Sequence, residues 1–372
     1  MEHAEHGAQG GVVAAHLSEE RGLASEHERA SLLGFVRRIA ALRQARDAGV
    51  FDPAQQYEPP VYLVPNGTLT GGEAAALGIR SADDFFGGVV PHAFVATKAI
   101  SHPLAAPGAR ALPGWNPALS PRLGDAVLAG VSAFDLADAE SAGLRLLAAG
   151  PVRVKPVLAS GGTGQRVARD ATQLREALAA QPRDEVEAHG LVIEENLSEV
   201  STLSVGQVRI AGIVASYHGE QRLTRNNRGE EVFGGSDLSV VRGGFEALLA
   251  QPLEEPVRQA IDQARRYDAA VRDCYPGFFA SRCNYDVVLG RDARGRPRCA
   301  VLEQSWRVGG ATGCEIAALE VLQREPGRER VRARCFELFG DSPEPPRGAA
   351  VYWRGEDPRA GRLTKYTVVD PG

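Results

Sequence analysis

Several features that would place a protein quickly in a class are missing or scarce in this sequence. Its five cysteines are odd in number, include no Cys-x-x-Cys pair and all follow residue 270. This usage is typical of reduced thiols in the cytoplasm and argues against a disulfide framework and against a zinc site. No apolar run reaches the ~18 residues of a membrane-spanning helix. With 42 basic and 47 acidic residues, the net charge of −5 gives no basic field for nucleic acid. We therefore expect a cytoplasmic protein that binds neither membrane nor nucleic acid.

The chain is long enough for more than one domain. Its 372 residues, 44% of them hydrophobic, can bury a sizeable core and predict two or three domains. The first residues, MEHAEHGAQGG, are acidic and lack the order of a signal peptide, so we expect residues 1–26 to form a disordered leader. The Pro/Gly-rich stretch 105–122 is the best linker candidate. Residues 341–372 are Pro-rich, which predicts a partly ordered tail.

The N-terminal third alternates between helix and strand patterns. An apolar stripe from Ser25 onward predicts a helix. Residues 61–64 and 87–91 are short apolar runs that end in turns, and 71–77 is a candidate helix between them. This alternation predicts a small doubly wound N-terminal domain. It carries no Gly-x-Gly-x-x-Gly fingerprint, so a dinucleotide is not indicated.

A β-hairpin is predicted near the C-terminal end of the core. Residues 284–290 and 298–305 alternate and are partly β-branched, and the polar segment between them is centred on Arg294-Gly295. If the hairpin is symmetric about that glycine, Val288 faces Val301. Asp286 then lies directly opposite Glu303.

Two carboxylates about 5 Å apart on one sheet face repel each other. A shared proton, a neighbouring arginine or a divalent cation would offset the repulsion between Asp286 and Glu303. A hard cation takes oxygen ligands of this kind and bridges them to phosphates. Ser305 lies two residues beyond Glu303 and would add a third oxygen on the same face. The alternative is an exposed hairpin whose acids are solvated.

A glycine-rich loop follows a strand that carries Lys155. Three glycines in four residues let backbone amides converge on an anion, and the lysine adds a positive charge. The loop residues are Gly161, Gly162, Gly164 and Gln165. The loop is not a P-loop, because no Gly-Lys-Ser/Thr follows. A flexible hairpin loop beside a solvated lysine is the alternative.

A further apolar strand, residues 191–197, ends in Glu194, Glu195 and Leu197. Purines are often held by the edge of such a strand, through backbone groups and flanking carboxylates. An ordinary exit from strand to loop is the alternative interpretation.

Taken in order, these motifs resemble the ATP-grasp superfamily over roughly residues 60–320. The shared features are the strand lysine, the glycine-rich loop, the Glu-Glu-x-Leu hinge, the aspartate on one strand and the Glu-x-x-x-Arg from Glu303 to Arg307 on the next. Lys98, in ATKAISHPLA, resembles the first ATP-contacting lysine of the superfamily. The phrases SVGQV, YHGEQR, FGGSDL and EQSWRVGGAT resemble an uncharacterised bacterial branch.

The resemblance implies an α/β (α+β) fold: the ATP-grasp fold, with a small doubly wound N-terminal domain, a lid subdomain and a C-terminal antiparallel-sheet catalytic subdomain. The implied boundaries are 27–108, 109–190 and 191–340. It also implies the ATP-binding residues, which are Lys98, Lys155, Gly161, Gly162, Gly164, Gln165, Glu194, Glu195 and Leu197. The implied ligands of Mg²⁺ are Asp286, Glu303 and Ser305.

The implied activity is that of an ATP- and magnesium-dependent carboxylate ligase, in which an amine or other nucleophile attacks an acyl phosphate. Its substrates would be a small-molecule or peptide carboxylate and an amine-type acceptor, and a homodimer is compatible with the sequence. Arg282 and Arg307 would hold the transferred phosphate, or simply pair with the acids. The alternatives are an ATP-grasp kinase and a nucleotide-binding module without turnover.

One position departs from the superfamily pattern, which usually has asparagine where this chain has Ser305. A hydroxyl is a shorter and weaker ligand than an amide carbonyl, so the number of bound metal ions, one or two, stays open. Gln304 should point to the opposite face. The stretch between hinge and hairpin predicts strands and then a polar loop that shapes a second-substrate site. Its candidate residues are His218, Gln221, Arg225 and Arg242.

Overall fold

The computed structural model describes residues 10–18, 25–158, 164–341 and 344–370. Within these residues the strands form four sheets, two small and two large. No helix in this part of the chain is long and apolar enough to cross a membrane.

The first sheet is parallel and contains β1 (Val12–His16), β2 (Arg46–Val50) and β3 (Val61–Pro65), in the order β2-β1-β3. The expectation of a disordered leader over residues 1–26 is wrong for β1, and residues 1–9 and 19–24 lie outside the described residues. Residues 12–15 are fully buried, because β1 is the central strand and pairs on both edges. A short run of four apolar residues after glycines is too brief to be distinguished from a leader by pattern alone.

Both faces of this sheet are covered. Helix α1 (Glu26–Arg43) packs on the face of Val13 and Ala15. The other face, with Ala14 and Leu63, packs on the region of α2 (Gly71–Ala76). A second small sheet lies beside it and joins β4 (Leu69–Thr70), β5 (Gly88–Val90) and β13 (Phe279–Ala280). The doubly wound N-terminal domain of the sequence analysis is confirmed.

An antiparallel sheet of order β6-β9-β7-β8 forms the lid subdomain. Its strands are β6 (Gly130–Ala133), β7 (Val152–Pro156), β8 (Arg166–Ala168) and β9 (Leu191–Glu195). Its helices are α4 (Leu136–Leu147), α5 (Ala171–Ala179) and α6 (Arg183–His189). Asp135 caps α4 by accepting from the backbone N–H of Ala137 at 2.7 Å. The predicted linker contains α3 (Leu119–Leu123), which follows the 3₁₀ turns Ala93–Ala96 and Lys98–Ser101.

The C-terminal subdomain is built on a sheet of order β15-β14-β10-β11-β12-β16-β18-β17, eight strands in the described residues. The strands are β10 (Ser198–Ile210), β11 (Ile213–Arg225), β12 (Glu231–Arg242), β14 (Arg282–Arg291), β15 (Pro297–Ser305), β16 (Arg330–Phe339), β17 (Ala350–Asp357) and β18 (Gly361–Val369). The helices are α7 (Phe245–Leu249), α8 (Glu255–Cys274) and α9 (Thr312–Arg324).

Two expectations for this subdomain are wrong. The segment predicted as a Pro-rich, partly ordered tail contributes β17 and β18 to the large sheet. The predicted polar loop is the end of β11, a tight turn near Asn226 and the start of β12. In both places polar side chains on exposed strand ends resemble loop composition. The domain boundaries 27–108, 109–190 and 191–340 remain predictions.

The hairpin strands face two different environments. Tyr285 lies in the same buried cluster as Ile261 and Tyr267 of α8. Because side chains alternate along a strand, Asp286 points away from α8. Helix α8 therefore supports the back of the strands that carry the acids.

Candidate active site

The predicted pairing of the two acids is confirmed. Asp286 on β14 is the cross-strand partner of Glu303 on β15. The symmetric register is wrong further along, since Val288 pairs with Ala300. A bulge between the acids and the hairpin turn leaves Leu302 as the extra residue of β15 and shifts the register by one residue.

Lys98 reaches this pair from the junction with the N-terminal domain. Its Nζ atom lies 2.6 Å from Oε2 of Glu303, and its side chain is 4% exposed. Gln304 points to the opposite face, as predicted, and its Nε2 donates to the carbonyls of Val95 at 3.0 Å and Thr97 at 2.8 Å. The turn before Lys98 is therefore held by the residue next to Glu303.

The same short segment also contacts the lid. Ala99 packs against Phe134 and Val192, and its carbonyl accepts from the Ser132 hydroxyl at 2.5 Å. Lys98 thus lies where the lid and the C-terminal subdomain meet.

Asp286 is surrounded by amide groups. Oδ1 accepts from Nε2 of Gln221 at 2.7 Å and lies 3.0 Å from the amide of Asn284. Burial and the charge of Glu303 raise the pKa of Asp286 to about 6. Burial is the larger of the two causes, and the repulsion expected within the acid pair is the second.

Arg282 has a different partner from the one expected. Its guanidinium donates from Nε and Nη2 to the carboxylate of Glu315 at 2.9–3.1 Å, and both side chains are buried. Nη1 donates to the Ser305 carbonyl at 3.0 Å, the Ser305 hydroxyl at 3.3 Å and the Arg307 carbonyl at 2.5 Å. Arg282 therefore fixes the end of β15 rather than pairing with the acids.

The half-buried Arg307 donates from Nη1 to the carbonyl of Val308 at 2.8 Å. Its predicted contact with a transferred phosphate remains a prediction. Of the residues suggested for a second substrate, Gln221 lies at the acids. Arg225 instead donates to a backbone carbonyl in the turn between β11 and β12. Arg242 donates to a backbone carbonyl near the end of α9. His218 is partly buried, and burial lowers its pKa.

A second charged cluster lies on the lid. Lys155 Nζ is 2.9 Å from Oε1 of Glu194, and His102 Nε2 is 3.2 Å from Oε2. All three side chains are nearly fully buried. Burial by itself would raise the pKa of Glu194, but Lys155 and His102 bring it down to about 2. Gly130 leaves the space for this cluster, since a Cβ there would lie 2.8 Å from the His102 ring.

The remaining predicted ATP residues lie around the hinge. Glu195 pairs with Arg298 at 2.9 Å. Leu197 is buried in a small apolar cluster with Val288, two residues along the strand from Asp286. Gln165 accepts from Arg153 at 3.2 Å. Gly164 has a φ of +71°, which favours glycine. Gly161 and Gly162 lie outside the described residues.

The oxygen set at the hairpin fits a hard divalent cation. Asp286 and Glu303 face each other and Ser305 follows on β15, which gives oxygen donors of the type that Mg²⁺ prefers. Among the described residues, no group of three or more His, Cys, Asp or Glu side chains is placed to hold a metal ion.

Several residues at these clusters escaped the sequence analysis. Asn284 is two residues before Asp286 on the same strand, so alternation alone could have placed it on the acid face. His102, Glu315 and Tyr217 carry no local signal, because their contacts are long-range. His102 contacts Glu194, 92 positions away, and Tyr217 contacts Glu315, 98 positions away.

The chain matches one sequence family over residues 14–367. It belongs to the DUF3182 family of proteins of unknown function. No curated protein matches the sequence. This DUF3182 chain has the ATP-grasp fold, as predicted, because solved ATP-grasp ligases align with almost its whole length.

Three solved structures illustrate the likeness. N5-carboxyaminoimidazole synthetase from Staphylococcus aureus, complexed with ADP, is 11% identical, has a TM-score of 0.59 and covers 98% of this chain and 95% of its own. The biotin carboxylase domain of Hydrogenobacter thermophilus 2-oxoglutarate carboxylase, with MgADP and bicarbonate, is 13% identical, with a TM-score of 0.56 and coverage of 97% and 86%. Phosphoribosylamine–glycine ligase from Thermotoga maritima is 16% identical, with a TM-score of 0.50 and coverage of 97% and 93%. At these identities the likeness establishes the fold alone.

Proposed function

We propose that this DUF3182 protein is an ATP- and magnesium-dependent carboxylate ligase. The observation that carries the proposal is the cross-strand pair of Asp286 and Glu303, with the Lys98 ammonium 2.6 Å from Glu303, at the junction between lid and C-terminal subdomain. On an ATP-grasp fold, the two acids would hold a divalent cation, and this cation together with Lys98 would neutralise the charge of a nucleoside triphosphate. Solved neighbours bound to ADP and MgADP support the same nucleotide.

Phosphoryl transfer needs mainly positioning and charge neutralisation from a protein. Asp286, Glu303 and Ser305 would hold Mg²⁺, which neutralises phosphate charge when bound. Lys98 adds a buried positive charge beside it. Lys155 and the glycine-rich loop would hold phosphate oxygens from the lid side, and Lys155 would then leave or share its partner Glu194.

The purine would lie at the hinge formed by Glu194, Glu195 and Leu197. The apolar cluster of Leu197 and Val288 supports this placement, since it lies along the same strand face as Asp286. Arg307 would contact the transferred phosphate. We assign Arg282 a positioning role, because it holds Ser305 and the Arg307 backbone.

The proposed reaction has two steps. An oxygen of the substrate carboxylate attacks the γ-phosphorus, the bond to the β,γ-bridging oxygen breaks, and ADP leaves. The amine or another nucleophile then attacks the acyl carbon of the acyl phosphate and loses its proton. The carbon–oxygen bond breaks and inorganic phosphate leaves with the electron pair.

The test is to incubate the protein with Mg-ATP, hydroxylamine and a panel of small-molecule and peptide carboxylates. Hydroxylamine attacks an acyl phosphate and gives a hydroxamate, which ferric ion detects by colour. We expect ADP and hydroxamate in equal amounts with at least one carboxylate. Asp286→Asn and Glu303→Gln should abolish both products, while Glu320→Gln, a substitution far along α9, should not.

Other outcomes would favour the alternatives. Magnesium-dependent ADP formation with a hydroxyl-bearing substrate and without hydroxamate would indicate a kinase. ATP binding with no ADP formation across the panel would indicate a nucleotide-binding module. Ser305 supports this alternative, because its hydroxyl is a weaker magnesium ligand than the usual amide carbonyl. Either result would overturn the ligase proposal.

A further inference from the structure

Two adjacent cross-strand pairs lie side by side on the acid face of the hairpin. Asp286 pairs with Glu303, and Asn284 pairs with Ser305. The bulge begins only after Asp286, so Asn284 and Asp286 keep the same facing. Asn284 is 6% exposed. The amide of Asn284 therefore stands on β14 across from Ser305 on β15.

The neighbouring strands bring Tyr217 to this amide. Gly206 on β10 is the cross-strand partner of both Asn284 and Tyr217. A Cβ at Gly206 would lie 2.3 Å from the Tyr217 hydroxyl oxygen, so only glycine lets that ring pass over β10. The hydroxyl oxygen then lies 2.5 Å from Oε1 of Glu315 and 2.9 Å from Oδ1 of Asn284.

A count of hydrogens decides how the Asn284 amide is oriented. The Tyr217 hydroxyl has a single hydrogen but faces two acceptor oxygens. The carboxylate of Glu315 is the stronger acceptor and takes it. Tyr217 then needs a donor from Asn284, and an amide supplies one if its nitrogen points to Tyr217. The oxygen and nitrogen of an amide are assigned from such networks.

In this orientation the amide oxygen of Asn284 occupies the position 3.0 Å from Oδ1 of Asp286. The same Asp286 oxygen keeps a donor from Gln221 at 2.7 Å. Two oxygens then converge beside Glu303 and Ser305, and a hard cation accepts both carboxylate and amide oxygens. A neutral oxygen also adds a ligand without adding to the repulsion of the acid pair.

We propose that Asn284 supplies an amide oxygen to the divalent cation held by Asp286 and Glu303, so that the amide stands on β14 and the hydroxyl on β15. This inference rests on the proposed function, which requires the cation site. It assigns the ligand opposite Ser305 to a residue that sequence motifs on β15 do not reveal.

The test measures Mn²⁺ affinity in the presence of ADP, from the electron paramagnetic resonance signal of free Mn²⁺. The variants are Asn284→Ser, Ser305→Asn and the double swap N284S/S305N, with ligand-free melting temperatures measured in parallel. We expect Asn284→Ser to weaken Mn²⁺ binding at least about tenfold, the range for loss of a group that supports a metal. The double swap, which returns one amide to the same cross-strand pair, should restore affinity to within about threefold of wild type.

A purely structural Asn284 gives different results. If Asn284→Ser lowers the melting temperature but binds Mn²⁺ as wild type does, the proposal is wrong. It is also wrong if the double swap folds but stays as weak as the single variant. If Asn284→Ser does not fold, the double swap alone decides by the same criterion. Unchanged Mn²⁺ affinity in Glu303→Gln and Asp286→Asn would instead remove the cation site and with it the proposed function.

Discussion

Replacing Glu315 with glutamine should destabilise the C-terminal subdomain strongly. Three contacts of 2.9–3.1 Å join the Arg282 guanidinium to the Glu315 carboxylate, and the side chains are 1% and 0% exposed. Removing one member of a buried ion pair leaves the other charge uncompensated and costs about 3–5 kcal/mol. Glutamine keeps one acceptor oxygen, so we expect the lower value, about 3 kcal/mol. For a unit of this size that lowers Tm by about 6–12 °C.

Glu320 on the same helix is a matched control. It also accepts from an arginine, Arg38, at 2.6–2.7 Å, but the two side chains are 28% and 17% exposed. Solvent screens such a pair, so Glu320→Gln should cost about 1 kcal/mol or less. Urea unfolding followed by tryptophan fluorescence would compare the two variants. Equal losses for Glu315→Gln and Glu320→Gln would refute the argument that the buried pair fixes the end of β15.

Three further predictions concern the lid and the Lys98 junction. Lys155→Ala should weaken Mg-ATP binding measured by calorimetry. Because this change leaves the buried Glu194 carboxylate without its lysine partner, the neutral double variant K155M/E194Q is the control for folding. Wild-type ATP affinity in both variants would contradict the assignment of the loop. Glu194 has a pKa of about 2, below its ordinary 4.5, so its charge stabilises the fold fully above pH 4.5. This contribution, roughly 3 kcal/mol, is lost as pH falls toward 2. Glu194→Gln should therefore flatten the dependence of the unfolding free energy on pH between pH 5 and 3, and an unchanged slope would refute the prediction. Gln304→Leu removes the donor to the carbonyls of Val95 and Thr97, so the turn that positions Lys98 should loosen and ATP binding should weaken. An unchanged ATP affinity measured by calorimetry would show that the turn does not need Gln304.

Local pattern was enough for most elements, and it placed Asp286 opposite Glu303. Alternation and a polar turn do not by themselves give this pairing, because nearer the turn the register differs by one residue, with Val288 opposite Ala300. The bulge at Leu302, between the turn and the acids, restores the predicted partner, and the sequence pattern did not reveal this bulge. The facing of Gln304 follows from alternation. The strands missed at both chain ends are short or polar, so their burial depends on partners far away in sequence.

The contacts that set charge could not be predicted locally. Glu315 lies 33 residues from Arg282, and His102 lies 92 residues from Glu194. Nothing in the neighbouring sequence distinguishes these side chains from solvated ones. Long-range ion pairs of this kind become visible only when the sheet and helices are in place. The order of motifs predicted the fold, whereas the partner of each charge required coordinates.

The most direct test of the central claim is the increase in Tm that Mg-ATP gives to wild type, Glu303→Gln and Asp286→Asn. Each variant is compared with its own ligand-free Tm, because Glu303→Gln also removes the ion pair with Lys98 from the ligand-free protein. At a ligand concentration of about 100 Kd, wild type should gain about 2.7 kcal/mol by mass action. A variant whose Kd is raised tenfold should gain about 1.4 kcal/mol under the same conditions. Loss of half the increment or more in both variants, with Glu320→Gln unchanged, is the predicted result. A full increment in both acid variants would contradict a magnesium-nucleotide site at Asp286 and Glu303.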